Sequence, residues 1–198
     1  MIRVDRVPEP NSFHGECRQR GSVWLARNPN PRRPVDYWSP FKPILAAGFG
    51  QRCGYGAMHE AVGTVDHFLS WKHRPELAYE WSNYRYASAW LNSSKQGLDG
   101  AVLDPFEVGD GWFRVLLPSL QLVLTDRVPA THRRLAAYTL ERLHLRDDER
   151  VIRQRRGWYE MYQAGELSLE GLRRMAPLIA EAVEQAGDAG HRDRESEP

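Results

Sequence analysis

The stretch from residue 63 to residue 97 constrains the fold most, because it joins strand-like, loop-forming and helix-forming segments within a short length of chain. The alternating residues of Val65–Leu69 predict a strand, and the compact aromatic segment Trp81–Tyr86 predicts a second one. Pro75 interrupts the connection between them, and Ala87–Ser94 favours a short helix. We therefore predict a strand–loop–strand–helix unit.

The polar residues of this unit are of the types that phosphodiester hydrolysis requires. Asp66 and His67 are adjacent on the first predicted strand, so their side chains point to opposite faces and reach different partners. We predict His67 as a general base, because the ordinary imidazole pKa of about 6.5 lies close to neutral pH. Asp66 and Asn92 offer the hard oxygen atoms that Mg²⁺ or Mn²⁺ prefers, and we predict them as ligands of a one-metal nuclease site. Asn83 opens the second strand, where its amide can bind the loop backbone and hold His67 in place.

Basic residues next to these positions are candidates for substrate binding. Lys95 lies one helical turn beyond Asn92 and can reach a phosphate as a point charge. Lys72 and Arg74 lie in the loop beside the site, where they either contact phosphate or form a solvated surface. The spacing alone also fits a surface histidine beside an aspartate in a turn, and the aromatic residues of the unit are predicted to be core.

The rest of the chain is predicted to form a scaffold and a substrate-facing surface around this unit. Trp112–Leu117 and Leu120–Thr125 predict a β-hairpin, and apolar residues at helical spacing predict helices after Pro129. The predicted parts are an extended N-terminal arm (1–40), the core (41–100), a hairpin connector (101–128), a helical extension (129–187) and a disordered tail (188–198). The predicted fold class is α+β.

Two groups of arginines leave alternatives open. In the arm, Arg27, Arg32 and Arg33 either touch phosphates or are solvated. We favour the second alternative, with the arm packing Trp24 and Trp38 on the core. A predicted helix after residue 147 presents further arginines, which either pair with nearby acidic residues or contact DNA. These arginines are Arg150, Arg153, Arg155 and Arg156.

Composition excludes several classes of protein. The chain has 198 residues and is 41% hydrophobic, which is enough for one packed domain with helical extensions. The net charge is +1, so any basic surface must be local. Cys17 and Cys53 do not indicate a disulfide scaffold and fit a reducing cytoplasm. No apolar run reaches the roughly 18 residues of a membrane span, and the N-terminus lacks the apolar region of a signal peptide, so we expect a cytoplasmic location and no membrane contact.

The stretch from residue 50 to residue 97 resembles the HNH (ββα-metal) endonucleases, whose motif runs from Asp-His through a loop and an Asn to a helical His or Asn. The matching segments are Val65–Phe68, Trp81–Asn83 and Leu91–Lys95. More narrowly, this stretch and Leu103–Phe113 are similar to bacterial HNH proteins that include nucleases of anti-phage defence systems. The resemblance implies a ββα-metal core, one divalent metal ion, and DNA cleavage that leaves 5′-phosphate and 3′-hydroxyl ends.

The sequence departs from this family at its structural zinc. Many members hold zinc with two Cys-x-x-Cys pairs around the motif. Here Gly56 takes the place of the second cysteine in the pair that Cys53 would begin. Ser88 and Leu91 stand where the second pair of cysteines would lie. A four-cysteine site cannot form, and Cys17 alone cannot replace the missing ligands, so no structural zinc is expected.

Two other functions remain open at the level of the sequence. The near-neutral charge also fits a catalytically silent nucleic-acid- or protein-binding subunit of a multi-protein defence complex. Such a subunit would work with a partner ATPase or a sensor protein. An RNA-directed nuclease or toxin is the third hypothesis, and the sequence indicates no particular oligomeric state.

Overall fold

The computed structural model describes residues 1–29 and 31–195, with side chains described as far as residue 187. Two small antiparallel sheets and several helices make the fold α+β, as predicted. The helices are α1 (Arg20–Arg27), α2 (Lys42–Gly48), α3 (Ala89–Lys95), α4 (Ala130–Arg142), α5 (Glu149–Gln163), α6 (Leu169–Met175) and α7 (Pro177–Glu195). The strands are β1 (Thr64–His67), β2 (Tyr84–Ala87), β3 (Phe113–Leu116) and β4 (Gln121–Leu124). None of the helices in these ranges has the length and apolar character needed to cross a membrane.

The N-terminal arm is helical from His14 to Arg27, whereas the sequence predicts an extended arm with one short element at Ser22–Arg27. A π-helical segment, His14–Gln19, runs directly into α1. Phe13, Cys17 and Gly21 recur at every fourth position and are buried on one face. Helix α1 approaches the Tyr79 ring so closely at Gly21 that a Cβ atom would lie 2.2 Å from it. This buried face anchors the arm on the loop between β1 and β2.

Strands β1 and β2 pair antiparallel, with Asp66 opposite Arg85 and His67 opposite Tyr84. Helix α3 follows β2 and contacts β1. The order strand, loop, strand, helix is therefore as predicted. The second strand is shorter than predicted, because Trp81–Asn83 forms a turn of 3₁₀ helix before it.

The β3–β4 hairpin lies where it was predicted and packs with the C-terminal helices in a hydrophobic core. Arg155 of α5 was predicted on an exposed face but is buried in this region. Its guanidinium group donates hydrogen bonds to the carbonyl oxygens of Leu120, Leu145 and Arg146. These carbonyl oxygens give the N–H donors of the buried guanidinium group their hydrogen-bond partners. The bond to Leu120 joins α5 to the hairpin.

Two of the other three arginines of α5 match the paired alternative, and Arg156 is exposed. Arg150 forms an ion pair with Asp148, and Arg153 forms one with Glu149. Asp148 also caps the helix by accepting a hydrogen bond from the backbone nitrogen of Arg150. Exposed pairs of this kind contribute about 0–1 kcal/mol each, so this face is largely a solvated surface.

The last predicted helix is divided at Pro177, where a proline cannot supply the backbone donor of a continuous helix. Ser168 caps α6 by accepting a hydrogen bond from the backbone nitrogen of Gly171. The sequence predicts a disordered tail over 188–198, but the backbone of α7 continues through most of that range, to Glu195. Residues 196–198 lie outside the described residues.

Candidate catalytic site

A cavity of about 770 Å³ opens beside the end of β1. Asp66, His67 and Asn92 all line it. Its walls come from β1, from α3, from the loop after β1 and from the part of the arm that precedes α2. The structure therefore brings the predicted base and both predicted metal ligands into one neighbourhood.

The imidazole of His67 has one nitrogen fixed and one nitrogen free. Its Nε2 lies 2.8 Å from the carbonyl oxygen of Ala78. That oxygen can only accept, so Nε2 carries the proton of the neutral ring. Nδ1 has no hydrogen-bond partner among the described residues and is not a buried atom, so it is open to the cavity. The rings of Trp38 and Tyr84 pack edge-on against the imidazole, with centroids at 4.7 Å and 5.0 Å.

The surroundings of His67 favour its neutral form. Burial lowers the pKa of His67 below its usual value of 6.5, although the hydrogen bond to Ala78 and the charge of Asp66 act in the opposite direction. The ring is therefore neutral at pH 7. In this state Nδ1 can accept a proton from water.

Asp66 is enclosed by two donors that the sequence analysis did not connect to it. The residue is 2% exposed, and Oδ2 accepts a hydrogen bond of 2.6 Å from the hydroxyl group of Tyr55. Oδ1 accepts a hydrogen bond of 3.1 Å from Lys95 Nζ. Burial, followed by the charge of Asp66, raises the pKa of Tyr55 well above 10, so its hydroxyl group remains a donor. Each carboxylate oxygen keeps a second lone pair, which leaves capacity for a ligand in the cavity.

Asn92 reaches β1 from α3 in a defined orientation. Its Nδ2 donates to Thr64 Oγ1 at 3.0 Å, while that hydroxyl group donates to the carbonyl oxygen of Ala87 at 3.3 Å. Because the hydroxyl proton is used, Thr64 must accept from Asn92, and this fixes the amide. The Oδ1 atom of Asn92 has no partner among the described residues and is not a buried atom, so it is available to a ligand.

Asn83 binds the backbone of the loop after β1, in the manner predicted. Its Oδ1 accepts a hydrogen bond of 2.8 Å from the backbone nitrogen of Leu69. Its Nδ2 donates to the carbonyl oxygens of Leu69 and Leu77, at 2.9 Å and 3.1 Å. Leu77 precedes Ala78, whose carbonyl oxygen contacts His67. Asn83 is therefore connected to His67 through the loop backbone rather than by a direct hydrogen bond.

Two predicted phosphate contacts are not supported by the structure. Lys95 is 3% exposed, and its Nζ donates to Asp66 and to the carbonyl oxygens of His67 and Phe68. These three acceptors use every N–H of the ammonium group, so none is directed at a substrate. Arg74 does not line the cavity and forms an ion pair with a glutamate of its own loop.

Basic residues other than Lys95 also line the cavity, and they come from the arm, from the start of α2 and from the loop after β1. Lys72 lies in its wall, as predicted. Arg32 and Arg33, for which the sequence analysis favoured a solvated role, also lie there, together with Lys42. The packing of Trp38 against His67 brings this part of the arm to the cavity. No local pattern around the arginines indicates that long-range contact.

The oxygen atoms of Asp66 and Asn92 fit a hard divalent cation. Mg²⁺ commonly binds one or two carboxylates and completes its coordination with water and substrate phosphate. One carboxylate and one amide oxygen therefore form a suitable donor set for Mg²⁺ or Mn²⁺. Within the part of the chain that the structure describes, no group of three or more His, Cys, Asp or Glu side chains is placed to hold a metal ion.

The four positions that hold zinc in the resembled family lie together in the structure. Cys53 Sγ is 3.7 Å from Ser88 Oγ. A Cβ atom on Gly56 would lie 3.7 Å from the same sulfur and 3.5 Å from a methyl group of Leu91. The sulfur accepts hydrogen bonds from the backbone nitrogens of Gly56 and Ser88, and burial raises the pKa of the thiol. Packing and hydrogen bonds thus surround the Cys53 sulfur.

Cysteines introduced at Gly56, Ser88 and Leu91 should create a zinc site together with Cys53. Tetrahedral Zn–S bonds of about 2.3 Å place the sulfur atoms about 3.8 Å apart, which is close to the present spacing. We expect the Gly56→Cys/Ser88→Cys/Leu91→Cys variant to retain about one equivalent of zinc after gel filtration and to melt at a lower temperature with a chelator. The variant without Leu91→Cys is the matched control and should retain much less zinc. Equal zinc contents in the triple variant and the wild type would contradict the convergence of these positions.

Comparison with known proteins does not assign this chain to a family. No protein-family model matches it, and no curated protein sequence matches it at a significant level. The geometry of the cavity and the residues that line it are therefore the basis for a function.

Proposed function

We propose that the protein is a metal-dependent endonuclease of the HNH (ββα-metal) kind, which hydrolyses phosphodiester bonds of DNA. The main support is a pair of free acceptor atoms, His67 Nδ1 and Asn92 Oδ1, in a cavity that Asp66 also lines. A base and two hard oxygen ligands are the groups that this hydrolysis requires. The order β1, loop, β2, α3 agrees with the order of the motif that the sequence resembles.

In this proposal His67 takes a proton from the attacking water at Nδ1. The carbonyl oxygen of Ala78 holds the proton on Nε2, which keeps Nδ1 basic and stabilises the imidazolium ion after the transfer. Asn83 holds the loop that carries Ala78. A base positioned in this way contributes about 10²–10⁴-fold to the rate.

Asp66 and Asn92 would hold the divalent cation. When bound, Mg²⁺ or Mn²⁺ supplies positive charge that stabilises the phosphate and the departing 3′ oxygen. Asp66 contributes a formal charge from β1, and Asn92 contributes a neutral oxygen from α3. The hydroxyl group of Thr64 keeps the oxygen of Asn92 turned away from the strand. We expect products with 5′-phosphate and 3′-hydroxyl ends.

The basic wall of the cavity favours a polyanionic substrate. Arg32 and Arg33 approach it from the arm, Lys42 from the start of α2 and Lys72 from the loop. The net charge of +1 means that this positive surface is local. Contacts of arginine and lysine with phosphate do not depend on base sequence and weaken as salt increases. We therefore propose DNA as the substrate and expect its affinity to fall steeply with ionic strength.

Cleavage of supercoiled plasmid tests this proposal. We expect the purified protein to nick and linearise plasmid with Mg²⁺ or Mn²⁺, to stop in EDTA, and to give ends that a ligase can rejoin. The Asn92→Ala variant should lose at least about tenfold in rate, because even residues that only support metal ligands typically contribute 10–100-fold. Asn11→Ala, on the exposed surface of the arm, is the matched control and should cleave at the wild-type rate.

The possible outcomes of this experiment are distinct. Equal cleavage by the wild type and by Asn92→Ala would identify a contaminating nuclease. The absence of cleavage with either metal would contradict the proposal. Digestion of a matched RNA in place of DNA would identify an RNA-directed nuclease.

One observation favours a second function, that of a catalytically silent subunit. Both oxygens of Asp66 already accept hydrogen bonds, from Tyr55 and Lys95. A protein of this kind would bind nucleic acid or another protein in a defence complex, beside a partner ATPase or sensor protein. DNA binding that needs no metal, that Asp66→Asn leaves unchanged and that never leads to cleavage would favour this alternative.

A further inference from the structure

Lys95 places a positive charge inside the candidate site rather than at its entrance. The side chain is 3% exposed, and its Nζ lies 3.1 Å from Asp66 Oδ1. The carbonyl oxygens of His67 and Phe68 each lie 2.9 Å from the same nitrogen. Lysine is almost never fully buried unless it is paired. Here its partner is the one carboxylate that the proposed cation would need.

The ion pair changes what Asp66 offers to a cation. Lys95 neutralises the carboxylate, and the hydroxyl group of Tyr55 donates a hydrogen bond to the other oxygen. A divalent cation bound to Asp66 would therefore lie close to a second positive charge. Repulsion between charges at short range is strong where water is largely excluded. The free protein thus presents little net negative charge to a divalent cation.

We propose that Lys95 is an internal counter-ion that keeps divalent-metal binding weak until a nucleic-acid phosphate enters the cavity. This inference rests on the proposed nuclease function. The phosphate restores the negative charge that Lys95 cancels, so metal and DNA bind cooperatively. By thermodynamic linkage, each increases the affinity for the other by the same factor.

The position of Lys95 on α3 supports this role. Lys95 and Asn92 lie one helical turn apart, so the counter-ion and the amide ligand approach β1 on the same helix. Both Lys95 and Asp66 line the cavity into which the phosphate would enter. The arginines of the arm, Arg32 and Arg33, line the same cavity and can attract that phosphate.

Binding of Mn²⁺ to the free protein, measured by electron paramagnetic resonance of the unbound ion, tests the role of Lys95. Lys95→Met keeps the length of the side chain and removes its charge, so we expect the Mn²⁺ affinity to rise at least about tenfold. Lys42→Met is the matched control, because it removes a charge from the cavity wall without a bond to Asp66. Its Mn²⁺ affinity should change by less than about twofold, because Lys42 is partly exposed and solvent and salt screen its charge. An unchanged or weaker affinity in folded Lys95→Met would overturn the proposal.

The wild-type protein supplies a second measurement, which does not depend on how well the variant folds. The probe is a short DNA duplex with phosphorothioate linkages that resist cleavage. We expect the Mn²⁺ affinity of the protein to rise at least about tenfold when the duplex is bound, after subtraction of Mn²⁺ bound by the duplex alone. Equal affinities with and without the duplex would overturn the proposal.

The outcomes separate this inference from the proposed function. If plasmid is cleaved but neither Lys95→Met nor the duplex increases Mn²⁺ affinity, the inference about Lys95 is wrong and the nuclease function stands. If Lys95→Met binds Mn²⁺ more tightly but no form of the protein cleaves DNA, the metal site exists and the nuclease function is wrong.

Discussion

Replacement of His67 by alanine should lower the rate of plasmid cleavage by about 10²–10⁴-fold, the range that a positioned general base supplies. The loss should appear in the cleavage step rather than in DNA binding, because the imidazole is neutral at pH 7 and adds no positive charge to the basic residues of the cavity. Cleavage under single-turnover conditions measures the first quantity. Fluorescence anisotropy of a labelled duplex in EDTA measures the second.

The matched control for this substitution is His14→Ala, which alters an exposed histidine of the arm and should leave the rate unchanged. The pH profile gives a further check. Because burial lowers the pKa of His67, the ring stays neutral at pH 7 and becomes protonated only below its usual value of 6.5. The wild-type rate should therefore decrease as the pH falls through that lowered pKa. A rate that His67→Ala leaves unchanged would remove the imidazole from the mechanism.

The parts of the site that could be predicted from the sequence are those set by local geometry. The alternation of side chains along β1 separates Asp66 from His67, and a helix directly after β2 returns Asn92 to the first strand. Asn83 directly precedes β2, so the order of residues also places it beside the loop between the strands. Each of these relations spans neighbouring elements, so the order of residues was sufficient.

The parts that could not be predicted depend on the direction of long side chains and on distant contacts. The position of Lys95 on α3 was correct, but a helical position does not determine whether a flexible side chain extends into solvent or bends under a strand. Arg155 was assigned to a polar face for the same reason, but its side chain is buried and donates hydrogen bonds to distant carbonyl groups. Tyr55 contacts Asp66 from a separate turn, and the sequence offers only its position between two glycines as a signal.

In the arm, the four-residue spacing of buried residues determines the local structure more than the composition does. Prolines and arginines suggested an extended chain, but Phe13, Cys17 and Gly21 form one buried helical face. This face anchors the helix beside Tyr79, and the extended segment after it brings Trp38 to His67. The arginines of the arm reach the cavity only as a consequence of that packing. Their position at the cavity was therefore visible only in the structure.

A second substitution with a large expected effect is Arg85→Met, which should destabilise the folded protein by about 3–5 kcal/mol. Arg85 and Asp104 are 2% and 5% exposed and form an ion pair with two N–O distances of 2.6 Å. Removal of the guanidinium group leaves a buried carboxylate without a counter-charge. A protein of this size should then lose on the order of 10 °C in melting temperature, measured by circular dichroism.

The location of Arg85 explains why its replacement should also disturb the candidate catalytic site. It lies opposite Asp66 in the β1–β2 ladder, and its guanidinium group packs 3.9 Å from the centre of the Phe106 ring. The same group donates hydrogen bonds to the carbonyl oxygens of Ser82 and Tyr84. The ion pair thus fastens β2 to the loop that carries Asp104. We expect cleavage by Arg85→Met to fail at a temperature that the wild type tolerates.

A double-mutant cycle distinguishes loss of the ion pair from loss of packing. Asp104→Asn removes the charge and keeps an oxygen that can accept from the backbone nitrogen of Phe106. If the unpaired carboxylate causes most of the damage, Arg85→Met/Asp104→Asn should be more stable than Arg85→Met alone, even though it contains one more substitution. Arg114→Met, at an exposed position of β3, controls for the loss of an arginine and should change stability by no more than about 0.5 kcal/mol. If the double variant is instead less stable than Arg85→Met, the stabilisation by Arg85 comes mainly from its packing on Phe106 and its carbonyl partners, because relief of the buried charge would then have no measurable benefit.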